Sequence, residues 1–122
     1  MENKYLSARR ICLDALREFR CEVNEYLPDN PEGPVLVFTG AGEWDQDGCS
    51  YIQRCINRVV DTILSTCMAD HVSYDLHMVQ DTYNQALKEK DVQRCQRALL
   101  DFMEEARIIH AACKAIPKEV NV

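Results

Sequence analysis

Apolar residues recur along this chain at steps of three and four over four separate stretches. That spacing predicts an all-α protein, an antiparallel bundle of about four helices. Over residues 2–27 the positions Tyr5, Ala8, Cys12, Ala15, Phe19, Val23 and Tyr26 mark one helical face, widened by Leu6, Leu13 and Leu16. Pro28 ends this helix, since its ring crowds the preceding turn and it has no N–H to donate. The opposite face gathers Asp14, Glu18, Glu22 and Glu25, flanked by Arg10 and Arg17, with Cys21 on the same polar side as an expected exposed thiol.

Ser50-Tyr51-Ile52-Gln53 has the form of a capping box, which predicts a second helix from there to Ala69. Ile52, Cys55, Ile56, Val59, Val60, Ile63, Leu64 and Cys67 cover close to half its circumference, so this helix is central or also faces a partner. Ser73 is the expected cap of a narrower third helix, with Leu76, Val79, Tyr83, Ala86 and Leu87 on one face and His77 and Asp81 on the other. Asp91 is the expected cap of the fourth, where Val92, Cys95, Leu99, Phe102, Ala106, Ile109 and Cys113 alternate strictly for three heptads. Pro117 closes it, and residues 118–122 are expected to fray. The short connections among the last three helices favour antiparallel neighbours. A likeness to one tetratricopeptide unit over residues 83–106 stands alone, and a single unit cannot stack.

Residues 28–50 break the periodicity. They hold Pro28, Pro31, Pro34, all four glycines and the only tryptophan, Trp44, around a short extended stretch, Val35-Leu36-Val37-Phe38. They also hold the charge imbalance. The chain carries a net −6, and this segment alone contributes −5 through Asp29, Glu32, Glu43, Asp45 and Asp47, with no Lys or Arg. An acidic balance of this kind opposes direct binding to a nucleic-acid backbone, which draws on clustered Lys and Arg.

Composition adds little beyond that. At 47% hydrophobic and 28% charged residues the chain is globular rather than disordered, and 122 residues give room for a single helical-bundle domain over 1–122. The chain opens on Met1-Glu2-Asn3-Lys4 without an apolar run, so no membrane association and a cytoplasmic location are expected. Seven cysteines, odd in number, widely spaced and mostly on apolar faces, read as reduced, packed thiols.

Each motif with chemical potential meets a physical objection. Val35-Leu36-Val37-Phe38-Thr39-Gly40-Ala41-Gly42 resembles, over eight residues, the strand-then-glycine turn of nucleotide-binding folds, including the Thr-Gly-Ala-Gly of sirtuin-like deacylases. Such a turn needs a βαβ unit and a helix N-terminus at the phosphate, whereas Glu43, Asp45 and Asp47 follow here and repel anions. Glu43 to Gly48 matches the first half of an EF-hand loop, but Arg54 falls where its final bidentate glutamate belongs. Cys67 and His71, four apart, lack the second pair that structural zinc requires. His77 with Asp81 fits a surface ion pair better than a general base, since no nucleophile lies near in sequence. His110 sits at the border of an apolar face. No cofactor is implied.

The reading that follows is a small non-enzymatic interaction module, an adaptor, inhibitor, chaperone or immunity-type factor. It binds a basic protein surface through Phe38, Glu43, Trp44, Asp45 and Asp47, or binds through an apolar helix face. Ile56, Val60, Leu64 and Leu100 exceed what one seam needs and predict weak homodimerisation. Two alternatives come from other classes. One is a helical-bundle enzyme using carboxylates and a metal, for which only Glu22 and Glu25 have suitable spacing. The other is a nucleic-acid mimic presenting Asp14, Glu18, Glu22 and Glu25, whose stripe Arg10 and Arg17 interrupt.

Overall fold

The computed structural model describes residues 4–28, 38 and 42–115. Within them the three-and-four pattern becomes four α-helices: α1 (Lys4–Val23), α2 (Gln46–Leu64), α3 (Ala69–Lys88) and α4 (Val92–Lys114). No strand occurs among the described residues. The extended stretch expected at residues 35–38 lies outside them apart from Phe38, as do Thr39 to Ala41, Pro117 and the expected tail at 118–122.

Each helix buries most of the face its sequence marks, though Tyr5 at the start of α1 is exposed. α1 buries Ala8, Cys12, Leu16, Phe19 and Val23, and α4 buries Cys95, Leu99, Phe102, Ala106, Ile109 and Cys113. Val92 alone of the α4 seam is exposed, because it starts the first turn. All four helices feed one continuous core. Register follows from pairs that cross the seams. The Cys12 thiol lies 3.6 Å from the Thr66 hydroxyl, and the Tyr51 hydroxyl donates to the Glu22 carbonyl at 3.3 Å, so α1 and α2 run antiparallel. Gln53 donates to Asn84 at 2.9 Å and Gln80 to Asn57 at 2.8 Å, which sets α3 antiparallel to α2. The Phe19 and Phe102 rings meet edge-on at 5.0 Å and Cys12 lies against Cys113, so α4 returns antiparallel along α1 and closes the square. α2 and α4 touch across the diagonal.

Tyr83, the largest fully buried side chain, shows how a polar group enters this core: its hydroxyl donates to the Cys49 carbonyl at 2.7 Å. The joint between α3 and α4 is equally determined. The Asp91 N–H returns to the Ala86 carbonyl and the Lys90 N–H to the Leu87 carbonyl, both at 3.0 Å, with Lys90 at φ 56°. The Asp91 side chain then accepts from the Arg94 N–H at 3.1 Å and opens α4, as its sequence position predicts.

Three expectations change. α2 does not begin at the Ser50 box: Asp45 caps it, accepting from the Gly48 N–H at 2.7 Å, and the helix stops at Leu64 rather than Ala69. α3 starts at Ala69, ahead of Ser73, without a side-chain cap, after a tight turn in which the Thr66 hydroxyl accepts from the Met68 N–H at 3.2 Å. Ile56 and Val60, expected to face a second copy, are fully buried. The broad apolar arc of α2 is consumed inside the monomer, because α2 packs on α1 and α3 at once and reaches α4 across the middle. Leu64 packs half-buried on the core, leaving Leu100 as the one member of that set on an open groove.

Candidate functional site

The described end of the acidic segment, from Gly42 onward, is tied to the end of α1. After α1 the chain tightens into a 3-10 turn (Asn24–Tyr26), and the Gly42 N–H donates to the Glu25 carbonyl at 3.2 Å. Trp44 turns inward. Its ring meets Tyr26 edge-on at 5.5 Å and Phe38 at 5.8 Å, and Tyr26 in turn lies 5.8 Å from Tyr51 on α2. The Trp44 indole N–H is buried without an acceptor. Glu43, Asp45 and Asp47 stay exposed, but Asp45 is the helix cap and both aspartates sit where the α2 dipole favours negative charge. The two aromatic anchors expected to face a partner therefore form a cap over the end of the bundle.

The acidic face of α1 is also partly committed. Asp14 lies 4.0 Å from Arg17, and Glu22 is ion-paired to Arg58 of α2 while accepting from the Cys55 thiol at 3.5 Å. Burial and the adjacent Glu22 carboxylate push the Cys55 thiol up. Asp14, Glu18 and Glu22 line a recess of about 290 Å³ between α1 and α2 in which Arg58 is the cation. Glu18 and Glu25 remain exposed. Arg58 reaches this face from another helix, which no reading of α1 alone reveals.

The remaining motifs do not converge. Cys67 lies in the α2–α3 turn, its thiol 3.6 Å from the Lys4 carbonyl, and His71 is on α3, so the two share no helix edge. Among the described residues no three His, Cys, Asp or Glu side chains gather to hold a metal ion. His77 and Asp81 are both exposed on α3. The thiols are mostly internal. Cys12 lies against Cys113 across the α1–α4 seam, and their interaction lowers Cys12 and raises Cys113, while burial and Cys49 push Cys95 up to about 12. Cys21 is the exposed one, as its place on the α1 wheel predicts.

A groove of about 570 Å³ lies on the other side of α1, between α1 and α4. Leu16 and Ala106 form its buried floor, and Leu27, Leu100 and Met103 continue that apolar surface half-exposed. Arg17, Arg20 and Cys21 rim it from α1, and Glu104, Arg107 and His110 from α4. Arg107 pairs with Glu104 at 2.6 Å, and its guanidinium holds that carboxyl below the usual range. Arg20 has no ion pair among the described residues. The rim thus carries three arginines against one glutamate, in a chain whose net charge is −6.

Sequence reading reached this groove only in fragments. Leu100 stood out as excess apolar surface and His110 as a border residue, yet Arg17 counted only as neutralising its own helix. The available signal is the α4 stripe Leu100, Met103, Arg107 and His110, spaced three and four beside the core seam. Its α1 counterpart, Leu16 with Arg17 and Arg20, becomes its neighbour only once the antiparallel register is known.

No helix among the described residues is long and apolar enough to cross a membrane. Comparison with known protein families, curated proteins and solved structures gave no match.

Proposed function

We propose that this protein is a non-enzymatic interaction module that docks a protein partner in the α1–α4 groove. The observation that carries this reading is the groove itself: a continuous apolar floor left open at Leu27, Leu100 and Met103, rimmed by cations in an otherwise acidic chain. An apolar floor supplies affinity by burial, and a charged rim supplies orientation and association rate. Ligand pockets of this size bind small molecules when they enclose them, but here Arg17, Arg20, Cys21, Glu104 and Arg107 stand exposed on the rim and Leu27, Leu100 and Met103 are only half-buried. That openness favours a macromolecular occupant.

Cys21 gives the test, because it lies on the groove rim and is the exposed thiol of the chain. A photo-crosslinker attached to Cys21 in a Cys67→Ser background should trap a partner from host lysate. The same reagent at Tyr74→Cys, on exposed α3, with Cys21 and Cys67 both replaced by serine, should not. Leu100→Asp should abolish trapping without unfolding the half-exposed site. Equal yields from both positions, or trapping indifferent to Leu100→Asp, would reject the groove as the docking surface.

A second reading rests on Glu43, Asp45 and Asp47, whose exposed carboxylates form a separate acidic surface suited to a basic partner. It uses the loop for steering rather than anchoring, since Trp44 and Phe38 pack on each other and on Tyr26.

A further inference from the structure

Resting on that docking reading, we infer that the occupant of the α1–α4 groove is an acidic amphipathic helix of a partner protein: apolar side chains on one face, flanked by carboxylates. The length of the groove fits a helix. Its α4 wall runs from Leu100 to His110, ten residues and so about 15 Å, and a helix of some ten residues covers the same distance. The opposite wall runs from Leu16 to Cys21 on α1 and continues to Leu27, just past the 3-10 turn. A helix laid between α1 and α4 would make the contact that the two helices already make with each other, side chains at three- and four-residue steps entering a linear apolar trough.

Charge complementarity fixes the sign of the partner. Leu16, Leu27, Leu100, Met103 and Ala106 run along the centre line, while Arg17 and Arg20 stand on one bank and Arg107 and His110 on the other. Carboxylates flanking the apolar face of an incoming helix would meet Arg17 and Arg20 on the α1 bank, while on the α4 bank Arg107 is paired with Glu104. The one acidic lining residue, Glu104, already engages Arg107 through two hydrogen bonds, at 2.6 and 3.2 Å, and does not reverse the balance. Asp14, which approaches Arg17 at 4.0 Å, is not a lining residue of the groove. A basic helix would instead be drawn to the loop carboxylates at the end of the bundle, away from the trough.

The test uses two fluorescein-labelled designed peptides of about eleven residues, alike in a leucine stripe at helical spacing, one flanked by glutamates and one by lysines. Fluorescence anisotropy with the full chain should show the glutamate peptide binding about tenfold tighter than the lysine peptide, with the gap narrowing as salt rises. Arg20→Glu, an exposed substitution, should weaken the glutamate peptide about fivefold and improve the lysine peptide, and Arg17→Glu should act in the same direction. Leu100→Asp should abolish both. Equal binding of the two peptides, or no response to either arginine reversal, would overturn the acidic-helix proposal. So would saturable binding of anionic phospholipid vesicles with neither peptide bound, or assembly of the chain with itself at the groove. Crosslinking from Cys21 that depends on Leu100, combined with a failed charge preference, would reject the acidic helix while retaining protein docking. Loss of both would reject the docking reading as well.

Discussion

Replacing Gly48 with alanine should destabilise the protein by about 3 kcal/mol, the upper end of the cost of overpacking a closed site. The sign is the informative part. Gly48 lies in the first turns of α2, where alanine is the better helix former by roughly 1 kcal/mol, so local propensity alone expects stabilisation. The tertiary environment says the reverse: a β-carbon on residue 48 would fall 1.9 Å from the Glu43 carbonyl oxygen, a backbone atom that cannot swing aside. The loop would have to lift, and with it Trp44 from Tyr26. Gly42→Ala makes the comparison, because its added methyl meets first the Tyr26 ring, at 2.7 Å, a side chain that yields more readily than backbone even though Trp44 and Tyr51 pack on it. Urea unfolding of both variants should therefore rank Gly48→Ala as clearly the more damaging. A Gly48→Ala protein as stable as the parent would mean the loop does not cross α2 at this point.

Trp44→Ala should lower stability by about 2 kcal/mol, less than for a fully buried tryptophan because the ring is half-exposed. For a chain of this size the melting temperature should fall by roughly 6–10 °C. The loss comes from two edge-on ring contacts, to Tyr26 at 5.5 Å and Phe38 at 5.8 Å, and from the apolar cover they give the end of the core. Trp44→Phe should retain most of the stability, since it keeps the ring contact and removes an indole N–H that is buried without an acceptor. Affinity for the partner trapped from Cys21 should be unchanged in any folded Trp44→Ala protein. A drop of tenfold or more in affinity with an unshifted melting temperature would return Trp44 to the role of a partner anchor.

Where the core pattern was strict, the sequence was sufficient. α4 carries its apolar residues at bundle spacing between an aspartate cap and a proline, and Val92–Lys114 follows almost residue for residue. The helix starts of α2 and α3 were harder because they depend on polar residues with competing roles. Asp45 and Ser50 are both good caps, and Gly48 between them argues locally against a helix. The earlier start rests on the Asp45 side chain accepting from the Gly48 N–H, and the glycine leaves room for the Glu43 carbonyl over residue 48. Ile56 and Val60 failed as interface candidates for a related reason. A helical wheel measures how much of a helix is apolar but not how many neighbours cover it, and α2 has α1 and α3 beside it with α4 across the diagonal. The groove belongs to a third category. Its two banks lie some eighty residues apart in sequence, so its chemistry exists in neither segment alone.

That separation has a thermodynamic consequence. α1 and α4 are the first and last helices, and Phe19 against Phe102 is among the contacts that close the ring. A chain that has released either end has no groove, so an occupant binds only the closed state and stabilises it by linkage, by about 2.7 kcal/mol at a hundredfold excess over its dissociation constant. Detachment of a terminal helix is then linked to binding, because the occupant must leave before the groove can open. Amide exchange in α1 and α4 becomes a direct gauge of occupancy, and a protease that samples the opened ends would find the free chain and spare the bound one.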